Sequence, residues 1–129
     1  MNEIRLSDAE WKLMTELWPN PPRTLTSLCA ALKESCGWSK STVVTLLGQM
    51  VQKGAVYYEE GGRARQYYPA VSRQALADSE TDNFIDKVYG GKPGLLLNAL
   101  VDSERLSAEE LRQLHELLDK AQAAREEKP

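Results

Sequence analysis

The segment from Trp38 to Val56, with the Gly61-Gly62-Arg63-Ala64-Arg65 stretch after it, most constrains what this chain can fold into. Ser39 is placed to cap a helix, and Gly54 can take the left-handed conformation that closes one at about Lys53. Between them Val43, Leu46, Leu47 and Met50 recur at i, i+3, i+4 and i+7, so this face turns to a core. Ser41, Val44, Thr45, Gly48, Gln49 and Gln52 are left pointing outward. A solvated helix face ordinarily carries Glu and Lys; this one is small or uncharged and suits close approach by another surface. Ala55–Glu60 and Arg65–Pro69 are rich in Val and Tyr and are joined through Gly61-Gly62, which predicts a hairpin with a basic tip.

Two helices are expected before this one. Ser7-Asp8-Ala9-Glu10 has the form of a capping box, and Leu13, Met14, Leu17 and Trp18 then fall on one face with Trp11 near its edge. Pro19-Asn20-Pro21-Pro22 ends that helix. Thr24 caps a second, with Leu25, Leu28, Cys29 and Leu32 as its stripe and Gly37 beyond its end. Three helices, a short turn and a small antiparallel β wing make a winged helix-turn-helix over residues 1–70, in a mainly α chain.

Residues 71–129 carry no strand signal. A helix from Ser72 to Tyr89, a stop at Gly90-Gly91-Lys92-Pro93-Gly94, a short apolar helix from Leu95 to Val101 and a second capping box at Ser107-Ala108-Glu109-Glu110 are expected. Phe84, Val88, Leu96, Leu100, Leu111, Leu114, Leu117 and Leu118 give these three helices more apolar surface than so short a segment can bury alone. A partner is implied, most economically a second copy related by a two-fold axis. This region is therefore assigned to dimerisation.

Charge bears on the partner of the first region. The chain has a net charge of -3, but residues 1–70 hold 8 basic and 7 acidic residues, and residues 71–129 hold 8 and 12. Attraction to a polyanion must then come from a local cluster, which Lys40, Lys53, Arg63 and Arg65 supply. Lys40, Ser41 and Thr42 stand where helix amides and dipole favour a phosphate. Val44 and Thr45 can offer methyl groups to thymine, Gln49 can pair with an adenine edge, and the two arginines suit phosphate or the minor groove. Double-stranded DNA is the expected ligand.

Other chemistry finds little support. The one histidine, His115, lies beside the leucine stripe of the last helix, and Cys29 and Cys36 lack the close spacing of metal ligands. No enzymatic activity, metal or cofactor is expected. Neither a bilayer-spanning run nor a signal peptide is apparent, so a cytoplasmic location without membrane insertion is expected. A protein-interaction adaptor and a thiol redox switch through Cys29 and Cys36 are the alternatives to a DNA reader.

Leu6-Ser7-Asp8-Ala9-Glu10-Trp11, Trp38-Ser39-Lys40-Ser41-Thr42-Val43, Lys53-Gly54-Ala55-Val56, Gly62-Arg63-Ala64-Arg65-Gln66-Tyr67-Tyr68-Pro69 and Leu106-Ser107-Ala108-Glu109-Glu110-Leu111 together resemble the BlaI/MecI/CopY penicillinase-repressor family. The resemblance implies a homodimeric transcriptional repressor on a palindromic operator, with C-terminal helices forming the dimer. It also implies release by proteolysis triggered through a membrane sensor. The corresponding bond is Asn98-Ala99, where Ala99 stands in place of the bulky aromatic of the best-studied members. The paired C-x-C motifs of the copper-responsive branch have no counterpart, since residues 100–129 contain no cysteine.

Overall fold

A computed structural model describes residues 3–127, which form six helices and one two-stranded antiparallel sheet. In chain order these are α1 (Asp8–Leu17), α2 (Leu25–Cys36), α3 (Lys40–Gln52), β1 (Val56–Gly61), β2 (Ala64–Pro69), α4 (Arg73–Tyr89), α5 (Pro93–Asp102) and α6 (Ala108–Glu126). Two compact units divide inside α4, one running to Thr81 and the other from Asp82.

Local chemistry sets the helix ends of the first unit. Ser7 Oγ accepts the Glu10 amide at 3.2 Å while Glu10 Oε1 accepts the Ser7 amide at 2.8 Å, so the two side chains satisfy reciprocal donors at the start of α1. Thr24 and Ser39 cap α2 and α3 through their side-chain oxygens. Gly37 and Gly54 adopt φ of 71° and 85° beyond the ends of α2 and α3, a region costly for other residues. Release of the chain at Gly54 turns it directly into β1.

The core lies where α1, α2, α3 and the sheet meet. Leu13, Met14 and Leu17 from α1, Leu28 and Leu32 from α2, and Val43, Leu47 and Met50 from α3 are buried together with Val56 and Tyr67. Each such aliphatic side chain contributes about 1.5–3 kcal/mol of transfer free energy. Leu25, Cys29 and Leu46, expected on the inner stripes, pack at the margin and are partly buried. Trp18 Nε1 donates to Val71 O at 3.0 Å, which ties the end of α1 to the lead-in of α4, and Leu76 of α4 is buried.

Two details differ from the sequence expectation. Pro93 and Gly94, expected within a stop, are the opening residues of α5, because proline tolerates the first helical turn, where amides lack partners anyway. The sheet also has a short third partner. Arg23 forms an antiparallel bridge with Tyr67, donating its amide to Tyr67 O at 3.0 Å and accepting from Tyr67 N at 2.8 Å. One residue between prolines and a helix cap is too short to show any periodicity.

Glu10 is the buried charged residue of the core. Lys53, at the far end of α3, donates its ammonium to Glu10 Oε1 at 2.7 Å and to Arg5 O at 2.9 Å. Burial alone would push the Glu10 carboxyl up; the Lys53 ammonium and the Ser7 amide outweigh that and hold it below the usual carboxylate range.

In the second unit the apolar residues are at most partly covered. None of the described residues from Asp82 onward is buried, and Phe84, Val88, Leu111, Leu117 and Leu118 are exposed, Leu117 to 62%. Ser107 and Glu110 form the expected second capping box at α6.

Lys53→Met removes the counter-ion of a nearly buried carboxylate. The expected loss is about 1–3 kcal/mol, less than a fully buried pair would cost because Lys53 is itself partly solvated. Since the folded pKa of Glu10 is depressed, the pair stabilises fully above the unfolded carboxylate value of about 4.3 and is lost as pH falls through the lower folded value. Urea denaturation of both proteins across that range should show the difference shrinking toward acid.

Candidate nucleic-acid interface

Helix α3 has a buried side, Val43, Leu47 and Met50, and an outer side on which Lys40, Ser41, Thr42, Val44, Thr45, Gly48, Gln49 and Gln52 are exposed. No acidic residue occurs anywhere in it. At its N-terminus Ser39 Oγ accepts the Thr42 amide at 3.3 Å and lies 3.1 Å from both Ser41 Oγ and Thr42 Oγ1. Three hydroxyls therefore cluster at the positive end of the helix, whose first residue is the exposed Lys40. That end of α3 can donate to an anion through hydroxyl groups and carries a full charge next to them.

The wing is a tight hairpin. Gly61 pairs with Ala64, leaving Gly62 and Arg63 as the two turn residues, with Gly62 at φ 69°. Glycine at the first turn position supplies the positive φ that matches the twist of the strands. Arg63 is consequently the tip of the wing, exposed, and no described residue pairs with it. Along the strands Tyr57 stacks on Tyr68 at 5.1 Å on one face, and Tyr58 meets Tyr67 at 5.7 Å on the other. Arg65 shares the face of Tyr58 and Tyr67.

Arg65 is held as well as exposed. Its guanidinium lies 4.2 Å from the Tyr58 ring centroid, and Nε is 3.1 Å from Glu60 Oε1 across the hairpin. The pKa is raised by the Tyr67 side chain first and then by Tyr58 and Glu60. Both members of the Glu60 pair are more than half exposed, so this bridge is weak and its arginine can exchange one anion for another. The stacked tyrosine aims the guanidinium into a groove whose other wall is Val44, Gly48 and Val51 of α3.

Eight of the nine residues assigned to DNA from the sequence thus sit on the outer side of α3 or on the wing. Lys53 is differently occupied, its ammonium engaged with Glu10 and the Arg5 carbonyl. Sequence reasoning passed over Arg23, which holds the base of the wing: it donates to Ser27 Oγ at 2.6 Å, to Glu16 O at 2.9 Å and to Ser27 O at 3.2 Å while its backbone bridges Tyr67. Only its place after Pro21-Pro22, where no helix can form, hinted at a role.

The remaining reactive groups are scattered. Cys29 and Cys36 are free and half-buried, and His115 is largely exposed with Asp119 at 3.7 Å. Among the described residues no cluster of His, Cys, Asp or Glu could hold a metal ion, and no helix is long and apolar enough to cross a membrane.

Comparison with known proteins adds to this geometry. Residues 6–120 match the family described as Penicillinase repressor. The methicillin resistance regulatory protein MecI of Staphylococcus aureus strain N315 is 31% identical over 116 residues, spanning 89% of this chain and 94% of that protein. The penicillinase repressor of Bacillus licheniformis is 24% identical over 115 residues, 89% of this chain and 90% of the other. Among solved structures, the DNA binding domain of the repressor BlaI superposes with a TM-score of 0.52 at 28% identity, covering 57% of this chain and 90% of that domain. The monomeric form of Bacillus licheniformis BlaI in complex with the blaP half-operator gives 0.51 at 27% identity, covering 55% and 87%.

Ser39 holds the hydroxyl cluster together and caps α3. Ser39→Ala should cost about 1 kcal/mol of stability, as other N-cap losses do. Chemical denaturation monitored by tryptophan fluorescence would measure it; an unchanged midpoint would show that the cap is replaced by solvent.

Proposed function

The chain belongs to the penicillinase repressor family of DNA-binding winged helix repressors, and from that premise we propose that it works as a homodimer on a palindromic operator. The observation that carries this reading is the pairing of an acid-free outer face on α3 with a wing that presents Arg63 and Arg65. In this reading α3 enters the major groove. Lys40, Ser41 and Thr42 meet a phosphate, Val44, Thr45 and Gln49 meet base edges, and the arginines of the wing meet the adjoining backbone or minor groove. Lys53 contributes by holding α3 against α1.

Two copies are implied by the second region. Residues 71–129, taken as a dimerisation domain beside a DNA-binding domain of residues 1–70, leave Phe84, Val88, Leu111, Leu117 and Leu118 exposed, with Leu96, Leu100 and Leu114 only partly covered. An isologous interface would cover them and set two recognition helices about one helical turn of DNA apart. That the related BlaI binds a half-operator as a monomer supports one half-site per copy. Each half-site is weak alone; the dimer adds the two.

Release is assigned to the same region. Asn98 and Ala99 lie in α5, with Asn98 exposed and Ala99 O accepting the Ser103 amide at 3.0 Å. Cleavage of that bond requires local unwinding of α5 and would sever α6 from the DNA-binding region. A membrane-sensor protease pathway in the compartment that holds the DNA would supply the cut.

Three variants test the reading in band-shift titrations at several salt concentrations. Arg63→Ala with Arg65→Ala should weaken binding to every duplex and reduce the salt slope by about 1–2, whereas Lys53→Met should leave that slope unchanged. Gln49→Ala should cost about 1–3 kcal/mol at one base pair of the half-site only. A slope unaltered by loss of both arginines would remove the wing from the interface. Replacing Leu114 and Leu117 with Asp should shift sedimentation toward the monomer and lower operator affinity; a variant that stays dimeric would place the interface elsewhere.

A further inference from the structure

Gly48 has no reason within the fold to be glycine. It lies in the interior of α3, its φ is outside the left-handed region, and a Cβ built on it would meet nothing within 4 Å. Glycine in an exposed helix interior is less stable than alanine. The position therefore gives up stability and gains no packing. What it leaves is a bare stretch of helix backbone on the outer face, one turn after Val44, whose side chain is 45% exposed.

Val44 and Gly48, four residues apart, are neighbours on one helix face. Together they form an uncharged recess on the side wall of the groove shared with Tyr58 and Arg65. An apolar recess in a surface that approaches base edges has one complement: the 5-methyl group of thymine, the apolar group that the major groove presents. We propose that Gly48 is a specificity-determining residue, and that the recess it makes with Val44 receives the methyl group of one thymine in each half-site. This rests on the DNA-reading role assigned above and deepens it.

The proposal separates stability from recognition. Gly48→Ala should raise the thermal midpoint by about 3–6 °C, because it removes a helix defect without touching a neighbour. It should also weaken specific binding about five-fold or more by filling the recess, while affinity for an unrelated duplex stays the same.

The probe is a duplex selected by the wild-type protein from a random-sequence pool, resynthesised with uracil in place of each thymine in turn, which deletes only the methyl group. One such substitution per half-site should weaken the wild-type protein about three- to five-fold and leave Gly48→Ala unaffected. The proposal is overturned if every uracil substitution is neutral for the wild-type protein, or if Gly48→Ala lowers the thermal midpoint. A loss for Gly48→Ala that is equal on all duplexes also overturns it, since the recess would then admit the sugar-phosphate strand and not a base. Failure of the wild-type protein to select any duplex is a different result: it removes the DNA-reading role itself, and the recess with it.

Discussion

A carboxylate buried at the seam between α1 and α3 sets the position of the helix on which the site is built. Glu10 serves two ends at once: it closes the capping box with Ser7 at the start of α1 and accepts the Lys53 ammonium from the end of α3. Because desolvation opposes the charge, the arrangement is stable only with both partners in place. The Arg5 carbonyl completes the coordination of Lys53 and draws in the chain before α1. The apolar contacts of Val43, Leu47 and Met50 supply most of the adhesion of α3, but they are non-directional. The ion pair adds an anchored point that fixes where along α1 the helix ends.

A second anchored point lies under the wing. Two strands alone are marginal in water. Here the hairpin is joined to the helices by the Arg23–Tyr67 bridge and by burial of Val56 and Tyr67, while the guanidinium of Arg23 ties the same segment to Glu16 and Ser27. Helix α3 and the wing are thus each held by a basic residue whose charge is engaged within the fold. On the outer side of α3 and on the wing the exposed basic residues are Lys40, Arg63 and Arg65. In the proposed homodimer the exposed apolar faces of the second unit would pair two copies and so add one half-site to another.

Much of this was legible in the residues. The caps at Ser7, Thr24, Ser39 and Ser107, the glycine ends at Gly37 and Gly54, and the inner stripe of α3 all arise from interactions spanning three or four positions, and these are visible in a linear sequence. The outer side of α3 and the tip of the wing were readable for the same reason. Arg23 and Lys53 were not. Their partners are Tyr67, forty-four positions away, and Glu10, forty-three away, and nothing in a run of residues marks such a pairing. Pro93 misled because proline both breaks a helix interior and opens a helix, and the residues on its C-terminal side decide between the two.

The sequence alone determined which segments are helical, where they stop, which face of each is apolar and that a glycine interrupts the outer face of α3, since these properties are set by short-range hydrogen bonding and by side-chain period. The tertiary structure decided how the charges are used. It turned Lys53 inward to Glu10, stacked Arg65 on Tyr58, left Arg63 alone at the tip and showed that nothing in the fold occupies the space beside Gly48. A lysine or arginine has the same composition and local propensity in either role. Only the arrangement of distant segments determines whether its charge meets a buried carboxylate or the solvent through which DNA approaches.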